Sequence, residues 1–146
     1  MVAGVRAYQK RDMPKEAAPS LAGTDLQGAP VSLADYRGKP VLVYFWATWC
    51  GVCKAEQHNI DAVTHDLPVL SVASHSGAAH EIAAFVRERG IAQRVVVDEE
   101  GMLARRFGVH AYPSTFVIDG KGEIRHIEVG YTTEMGLRAR MWLAGL

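Results

Sequence analysis

Residues 41–53 read VLVYFWATWCGVC. The first six of these residues are apolar or aromatic, which indicates a β-strand that is buried on both faces. From Cys50 onward a helical pattern runs through Ala55, Ile60 and Val63. The sequence therefore predicts a strand, a short loop and a helix in direct succession, with two cysteines at the start of the helix.

The rest of the chain repeats this alternation of strands and helices. Leu21–Val31 suggests a short hairpin or irregular strands, and Ser32–Gly38 a helical turn closed by glycine. Further strands are predicted at Pro68–Ala73, Val95–Val97, Thr115–Ile118 and Glu123–Val129. The order β-α-β-α-β-α-β-β-α predicts an α/β sandwich with parallel pairs, right-handed crossovers and helices on both faces of one mixed sheet. The closing hairpin, at Asp119–Gly122, adds an antiparallel edge.

Polar residues at the predicted helix starts are candidates for N-caps. Ser76 can cap the helix that carries Ile82 and is stopped by Gly90. Asp98 can cap a short helix that ends at Gly108, and Thr132 or Thr133 can open the last helix.

Composition narrows the class of protein. The 146 residues include 16 Lys and Arg against 16 Asp and Glu, so the net charge is zero. A nucleic-acid binder needs a basic excess, so no nucleic-acid partner is expected. No run of 18 apolar residues predicts a membrane span, and residues 1–6 lack the long apolar region of a signal peptide.

The N-terminal part has a different character from the rest. Ala7–Ser20 is polar and includes Pro14 and Pro19, which is typical of a linker or a poorly ordered arm. We therefore divide the chain into an arm over residues 1–18 and one domain over residues 19–146. A leader or anchor before Met1 is compatible with this division.

The two cysteines, Cys50 and Cys53, are the only ones in the chain. A bridge between them closes a very short loop and stabilises a fold little. A C-x-x-C pair that follows a buried strand and opens a helix is instead the pattern of a redox site. The helix N-terminus favours the thiolate, so the pKa of Cys50 should lie below the usual value of about 8.5. Cys53, one turn along, is placed to resolve a mixed disulfide on Cys50.

Two other roles for the pair remain open at this stage. The first is a purely structural disulfide. The second is a zinc site completed by His58 and His65, although no second C-x-x-C or H-x(3–5)-H motif follows.

The residues around the pair fit exchange chemistry. Trp46 and Trp49 offer an apolar surface, and the dipeptide between the cysteines has no histidine to favour a stronger oxidant.

Residues 45–56, FWATWCGVCKAE, resemble the thioredoxin superfamily, and within it the TlpA/ResA-like branch of bacterial extracytoplasmic thiol–disulfide oxidoreductases. Gly51–Val52 and Glu56–Gln57 are most similar to ScsD-like (suppressor of copper sensitivity) proteins. Residues 32–40, 101–109 and 112–119 match three further family segments in the right order. The similarity runs from about Pro19 to the C-terminus.

The resemblance implies a thioredoxin-like three-layer α/β/α sandwich with a mixed central sheet and a short N-terminal extension. It implies that Cys50 is the attacking thiolate and Cys53 the resolving thiol. It also implies a cis peptide at Tyr112–Pro113, packed against the Cys50 sulfur. The substrate-docking residues would be Trp49, Gly51, Val52, Tyr112 and Pro113, with no metal ligand among them.

Two positions depart from the family pattern. Tyr44 stands where many thioredoxins have a buried Asp, so Cys53 needs another proton partner. Glu56 is a candidate, although a solvated carboxylate on the helix surface is the more common environment for a glutamate. Tyr112 replaces the smaller residue that usually precedes the proline, which bears on substrate choice and redox potential.

The resemblance also implies partners and a place in the cell. No cofactor is expected beyond the redox-active Cys50–Cys53 disulfide. The substrates would be proteins with cysteines, served by a membrane thiol–disulfide electron donor or acceptor. The location would be periplasmic, with membrane contact only through an N-terminal segment absent from this chain. We expect a reductant; the alternatives are a disulfide oxidant or isomerase, and a copper carrier, since thiolates suit Cu(I).

Overall fold

The computed structural model describes residues 2–146, and side chains from residue 4 onward. In chain order the elements are α1 (Val2–Gln9), β1 (Ala22–Thr24), β2 (Pro30–Ser32), a 3-10 helix (Leu33–Tyr36), β3 (Val41–Trp46), α2 (Gly51–Thr64), β4 (Val69–Ser74), α3 (Ala79–Arg89), β5 (Arg94–Asp98), α4 (Met102–Arg106), β6 (Ser114–Ile118), β7 (Ile124–Val129) and α5 (Glu134–Ala144). The predicted alternation of strands and helices is confirmed.

Five strands form one mixed sheet in the order β5-β4-β3-β6-β7. The neighbours β3, β4 and β5 are parallel, while β6 is antiparallel to both β3 and β7. The short strands β1 and β2 pair as a separate antiparallel hairpin. The predicted mixed sheet with its antiparallel edge is therefore present, and β3 lies at its centre.

Strand β3 separates two hydrophobic cores because its side chains alternate between the faces of the sheet. Val41, Val43 and Phe45 enter a core that includes residues of the β1–β2 hairpin and α4. Leu42, Tyr44 and Trp46 enter the other core, which includes residues of α2, α3 and α5. All six side chains are buried, as the apolar run predicts. The fold is a three-layer sandwich, and the end of β3 delivers the chain to the start of α2.

The segment between α1 and β1, predicted to be a linker, lies against the sheet. Met13 is buried in the core on the α4 side. The Ile124 N–H donates a 2.7 Å hydrogen bond to the Glu16 carbonyl, and Ala17 forms a bridge with Glu123. Residues 13–17 are thus in contact with the domain, and the helical turns of α1 precede them.

Of the three predicted N-caps, Thr133 is confirmed and Ser76 is wrong, while Asp98 bonds the first turn of α4 although Gly101 is the N-cap residue. Asp98 accepts hydrogen bonds from the N–H groups of Leu103 and Ala104, and Thr133 caps α5. Ser76 does not cap α3, because Gly77 adopts a left-handed conformation at φ 88° and the helix begins two residues later. There the Glu81 carboxylate accepts the hydrogen bond from the Ala78 N–H instead.

Candidate active site

Cys50 and Cys53 form a disulfide at the N-terminus of α2, with their Cα atoms 5.2 Å apart. Cys50 is the N-cap residue and has an extended backbone conformation. The Cys53 N–H points at the Cys50 sulfur from 3.1 Å. This N–H is one of the helix N-terminal donors that lack a partner within the helix. A negative charge on the Cys50 sulfur would therefore meet a hydrogen-bond donor that is already in place.

The two sulfur-bearing residues differ in their access to solvent. Cys50 is 8% exposed, whereas Cys53 is completely buried. The loop that leads to Cys50 is held by a hydrogen bond of 3.0 Å from the Thr48 N–H to the Ser76 hydroxyl. An incoming molecule can reach Cys50 first, and Cys53 only acts from within the protein.

The Tyr112–Pro113 peptide is cis, as the resemblance implies. The Tyr112 carbonyl oxygen lies 3.5 Å from the Cys50 sulfur, although the two residues are 62 positions apart in the chain. Pro113 is buried, and Tyr112 is partly exposed. Burial raises the pKa of Tyr112, so its hydroxyl is neutral at physiological pH. The backbone of Tyr112 thus forms a wall beside the outer cysteine.

Trp49 forms a second wall of the site and is 60% exposed. Its indole N–H donates a 2.9 Å hydrogen bond to the His75 carbonyl, and its ring meets the Tyr112 ring edge-on at 5.7 Å. His75 has φ 52°, a left-handed conformation that is uncommon for residues other than glycine. Sequence analysis missed this role of His75, because only the folded chain brings residue 75 beside residue 49.

Gly51 and Val52, between the cysteines, are both exposed. A Cβ atom added to Gly51 would meet no other atom within 4 Å, so this side of Cys50 is open. The structure thus brings Trp49 and Tyr112 together beside Cys50, with Gly51 and Val52 on the helix and Pro113 next in the chain. Substrate docking at these five positions stays a prediction.

Glu56 lies one turn beyond Cys53 and is completely buried, so the expectation of a solvated carboxylate is wrong. Residues three apart in a helix share a face, which places Glu56 on the buried side with Cys53. The Thr132 N–H donates a 2.8 Å hydrogen bond to Glu56 Oε2. Among the described residues, Oε1 has no hydrogen-bond partner.

The environment of Glu56 changes its acidity. Burial raises the pKa of Glu56 to about 7, because the Thr132 N–H and the nearby Tyr44 hydroxyl offset the loss of water only in part. The Tyr44 hydroxyl makes no hydrogen bond within the described residues, and burial with the Glu56 charge raises its pKa. Glu56 is therefore a carboxyl group that can change its protonation state near neutral pH.

No group of three or more His, Cys, Asp or Glu side chains is arranged to hold a metal ion within residues 2–146. His58 and His65, the ligands of the zinc alternative, are exposed residues of α2 and its C-terminal end. A metal-carrier hypothesis would thus depend on Cys50 and Cys53 alone.

Comparison with known proteins places the chain in one family. Residues 14–127 match the AhpC/TSA family. The thiol-disulfide oxidoreductase ResA of Geobacillus kaustophilus is 31% identical over 121 residues, which cover 80% of this chain and 70% of that protein. A thioredoxin-like protein of Haemophilus influenzae is 29% identical over 146 residues, with coverage of 99% and 87%.

Solved structures give the same result. The crystal structure of a thiol:disulfide interchange protein from Chlorobium tepidum superposes with a TM-score of 0.78 at 26% identity, covering 91% of this chain and 98% of that one. The predicted thioredoxin-like fold is confirmed. A closer relationship to ScsD-like proteins is not tested by these matches and stays a prediction.

Proposed function

The chain belongs to the AhpC/TSA family and is a thioredoxin-like thiol–disulfide oxidoreductase, and we propose that it reduces disulfides of other proteins outside the cytoplasm. The observation that carries this proposal is the Cys50–Cys53 disulfide at the start of α2, with Cys50 8% exposed and Cys53 completely buried. No cofactor is needed, because the pair itself stores two electrons.

The reaction proceeds in two exchange steps. The Cys50 thiolate attacks one sulfur of the substrate disulfide, forms a mixed disulfide and releases the other substrate sulfur as a thiolate. The Cys53 thiolate then attacks the Cys50 sulfur, releases the second substrate thiolate and leaves the Cys50–Cys53 disulfide. Two electrons pass to the substrate, and its two thiolates take protons from the site or from solvent.

The division of labour between the cysteines is supported by their positions. Cys50 is accessible, caps α2 and has the Cys53 N–H 3.1 Å from its sulfur. Helix N-termini and hydrogen bonds to sulfur both favour the thiolate, which is the nucleophile. Cys53 is buried, so its thiol keeps its proton until the mixed disulfide has formed.

The docking surface consists of Trp49, Gly51, Val52, Tyr112 and Pro113. An extended substrate segment would lie along the backbone of Tyr112 and place its sulfur next to Cys50, in the manner of a strand added to a sheet. The edge-on contact between Trp49 and Tyr112 holds the two aromatic walls in fixed positions. Tyr112, which is larger than the usual residue here, narrows the approach on that side.

Glu56 is our candidate for the proton acceptor of Cys53. It is buried on the same helix face, and burial raises its pKa to about 7. A carboxylate with a pKa near the working pH can accept a proton from a buried thiol and later release it. Its unpaired Oε1 leaves an acceptor position open for this proton. We therefore assign to Glu56 the proton transfer with Cys53 that a buried Asp at the position of Tyr44 would otherwise perform.

We propose reduction as the direction because of the similarity to ResA-like proteins and because Val52 brings no positive charge to the thiolate. A histidine between the cysteines would stabilise the reduced form and make the protein more oxidising. A membrane thiol–disulfide donor would return the two electrons after each cycle. Oxidation or isomerisation of substrates is the alternative direction for the same site.

We also propose that this domain works in the periplasm, tethered to the membrane. Within residues 2–146 no helix combines the length and the apolar character needed to cross a bilayer. The tether would be a segment preceding this chain, and residues 1–18 would connect it to the domain. The Cys50–Cys53 disulfide supports this location, because disulfides persist mainly in oxidising compartments.

Trapping of mixed disulfides tests the exchange reaction. The Cys53→Ser variant should accumulate covalent complexes with protein substrates, because its Cys50 attacks the substrate disulfide and no second thiol resolves the mixed disulfide. Dithiothreitol should reduce these complexes. The matched Cys50→Ser variant should trap none. If both variants lost bound Cu(I) and neither trapped a substrate, the protein would be a copper carrier instead.

The reduction potential tests the direction. Equilibration of the Cys50–Cys53 pair with glutathione or dithiothreitol should give a value well below that of a strong oxidant. A potential near about −120 mV would contradict the reductant proposal while leaving the exchange chemistry intact.

A further inference from the structure

The helix α1 lies beside the active site, and this placement is not part of the two-cysteine mechanism. A groove of about 300 Å³ has walls from Val5, Arg6 and Gln9 of α1 on one side and from Ala111, Tyr112 and Gly130 on the other. Tyr112 is also the residue whose carbonyl lies 3.5 Å from the Cys50 sulfur. The groove therefore begins at the docking wall and leads away from the sulfur along α1.

A second groove continues on the far side of Arg6. It has a volume of about 840 Å³ and runs between α1 and β7, the last strand of the sheet. Its charged or titratable lining residues are all basic: Arg6, Lys10, Lys15, Arg125 and His126. None of the described residues that line it is acidic. Burial, together with the charges of Arg140 and Arg125, lowers the pKa of His126 and keeps it neutral, so the positive charge comes from the Lys and Arg side chains. In a chain with zero net charge, this is a local concentration of positive charge.

Arg6 lines both grooves. A Cβ atom on Gly130 would lie 3.7 Å from its guanidinium nitrogen, so the Arg6 side chain reaches the loop that follows β7. Its side chain makes no hydrogen bond or ion pair with any described residue, and it is exposed. Of the groove cations, Arg125 has an acidic partner, Asp119, at 3.5 Å. The Arg6 guanidinium is available for a ligand.

The position of α1 is fixed by the segment that follows it. Asp12 contacts His110 at 2.6 Å, next to the loop that contains Tyr112. Met13 is buried, and Glu16 accepts the hydrogen bond from the Ile124 N–H. These contacts join the segment after α1 to both walls of the grooves, so α1 is held near Tyr112.

We propose that α1 completes the substrate-binding site and that Arg6 selects protein segments with acidic residues near the reactive cysteine. This inference rests on the proposed function, because the ligand is the polypeptide that flanks the substrate disulfide. An extended segment advances about 3.3 Å per residue. Acidic side chains a few residues from the substrate cysteine would therefore meet Arg6, and more distant ones Lys10 and Lys15.

The test compares two synthetic peptides with the full chain in its reduced form. Each has one cysteine, blocked as a disulfide with 2-mercaptoethanol, and three flanking residues on each side, all Glu in one peptide and all Lys in the other. At low salt the acidic peptide should react about threefold faster, as expected for exposed charge pairs. The ratio should fall toward one at 0.5 M NaCl, where such pairs are screened.

Charge reversal at one position identifies the residue responsible. Arg6→Glu should reverse the preference, and Arg6→Gln should bring the ratio near one. Arg87→Glu, which makes the same charge change on an exposed residue of α3, should keep the wild-type ratio. An Arg6→Glu variant with the wild-type preference would overturn the proposal.

A neutral probe separates this proposal from the proposed function. All variants should reduce 2-hydroxyethyl disulfide at equal rates, because it has no charge and no flanking chain. Equal peptide rates with normal reduction of this probe would refute only the role of Arg6. No reduction of this probe by the wild-type protein would refute the exchange function itself.

Discussion

At the scale of single residues, Glu56 departs most from what a surface helix would require. Its carboxyl group is buried with one oxygen bonded to the Thr132 N–H and the other without a described partner. A buried charge with incomplete hydrogen bonding destabilises the folded state. The protein therefore keeps at Glu56 a group that opposes folding in its ionised form and that suits proton transfer from Cys53.

This conflict predicts how stability depends on pH in the oxidised protein, in which the cysteines do not titrate. The pKa of Glu56 is about 7 in the folded state, against 4.5 when unperturbed. The folded state thus binds the proton more tightly, so the contribution of Glu56 to the free energy of unfolding should fall by about 3 kcal/mol between pH 4.5 and pH 7.5. Urea unfolding at several pH values measures this decline.

The Glu56→Gln variant should lack most of that decline, because the amide keeps an acceptor for the Thr132 N–H and has no charge. Glu88→Gln, on the exposed surface of α3, should leave the decline unchanged. In the reduced protein, Glu56→Gln should also slow the release of substrate from Cys50 and remove an inflection near pH 7. Identical pH profiles for Glu56→Gln and the wild type would contradict the role of Glu56.

The burial of Glu56 could not be read from the sequence. The spacing of Glu56 from Cys53 is visible in the sequence. The Thr132 N–H, which donates a hydrogen bond to the buried carboxylate, is 76 residues away. The cysteines themselves could be predicted, because the strand, loop and helix that place Cys50 are contiguous in residues 41–53. Local chemistry is predictable from local sequence, and burial is decided by distant contacts.

At the scale of secondary-structure elements, α2 determines the acidity of Cys50. The first turn of this helix has no acidic residue, so no negative side chain opposes the field of the helix N-terminus. Val52 is exposed, and a charged side chain at this position would act on the Cys50 thiolate without entering the core.

Substitutions at Val52 should therefore change the potential in opposite directions. Val52→His should lower the pKa of Cys50 by about 1 and raise the reduction potential by about 30 mV, because a positive charge stabilises the reduced thiolate. Val52→Asp should raise the pKa and lower the potential. Thiolate absorbance and glutathione equilibration measure the two quantities. The neutral Val52→Leu should match the wild type, and equal shifts in all three variants would refute the electrostatic explanation.

The caps of the helices show where prediction from sequence succeeds at this scale. Thr133 caps α5 because it lies directly before that helix, whereas Asp98 lies further from α4 and its carboxylate reaches the Leu103 and Ala104 N–H groups of the first turn. Ser76 failed as a cap because the left-handed Gly77 delays the start of α3, and its hydroxyl instead accepts the Thr48 N–H of the active-site loop. A residue with suitable chemistry was identified, but its partner lies on another element.

At the scale of the whole molecule, the N-terminal segment links the sheet to the active site. Its polar composition indicates a linker, yet Met13 is an apolar residue that fits between α4 and the sheet. The contacts of this segment are with residues about 100 positions later, such as His110 and Ile124. Hydrophobic patterns are evaluated over windows of 11 to 18 residues, so they cannot predict contacts between residues this far apart in the chain.

Truncation of Met13 should show whether this segment is part of the fold. Met13→Ala should lower the free energy of unfolding by about 3 kcal/mol, because it leaves a cavity in a buried cluster. Met102→Ala, at a side chain that is 57% exposed, should cost less than about 0.5 kcal/mol. If Met13→Ala and Met102→Ala lowered the free energy of unfolding by equally small amounts, residues 10–18 would not be part of the packed fold. If Met13→Ala also weakens the preference for the acidic peptide, then the anchoring of α1 and the selection of substrates depend on the same contact.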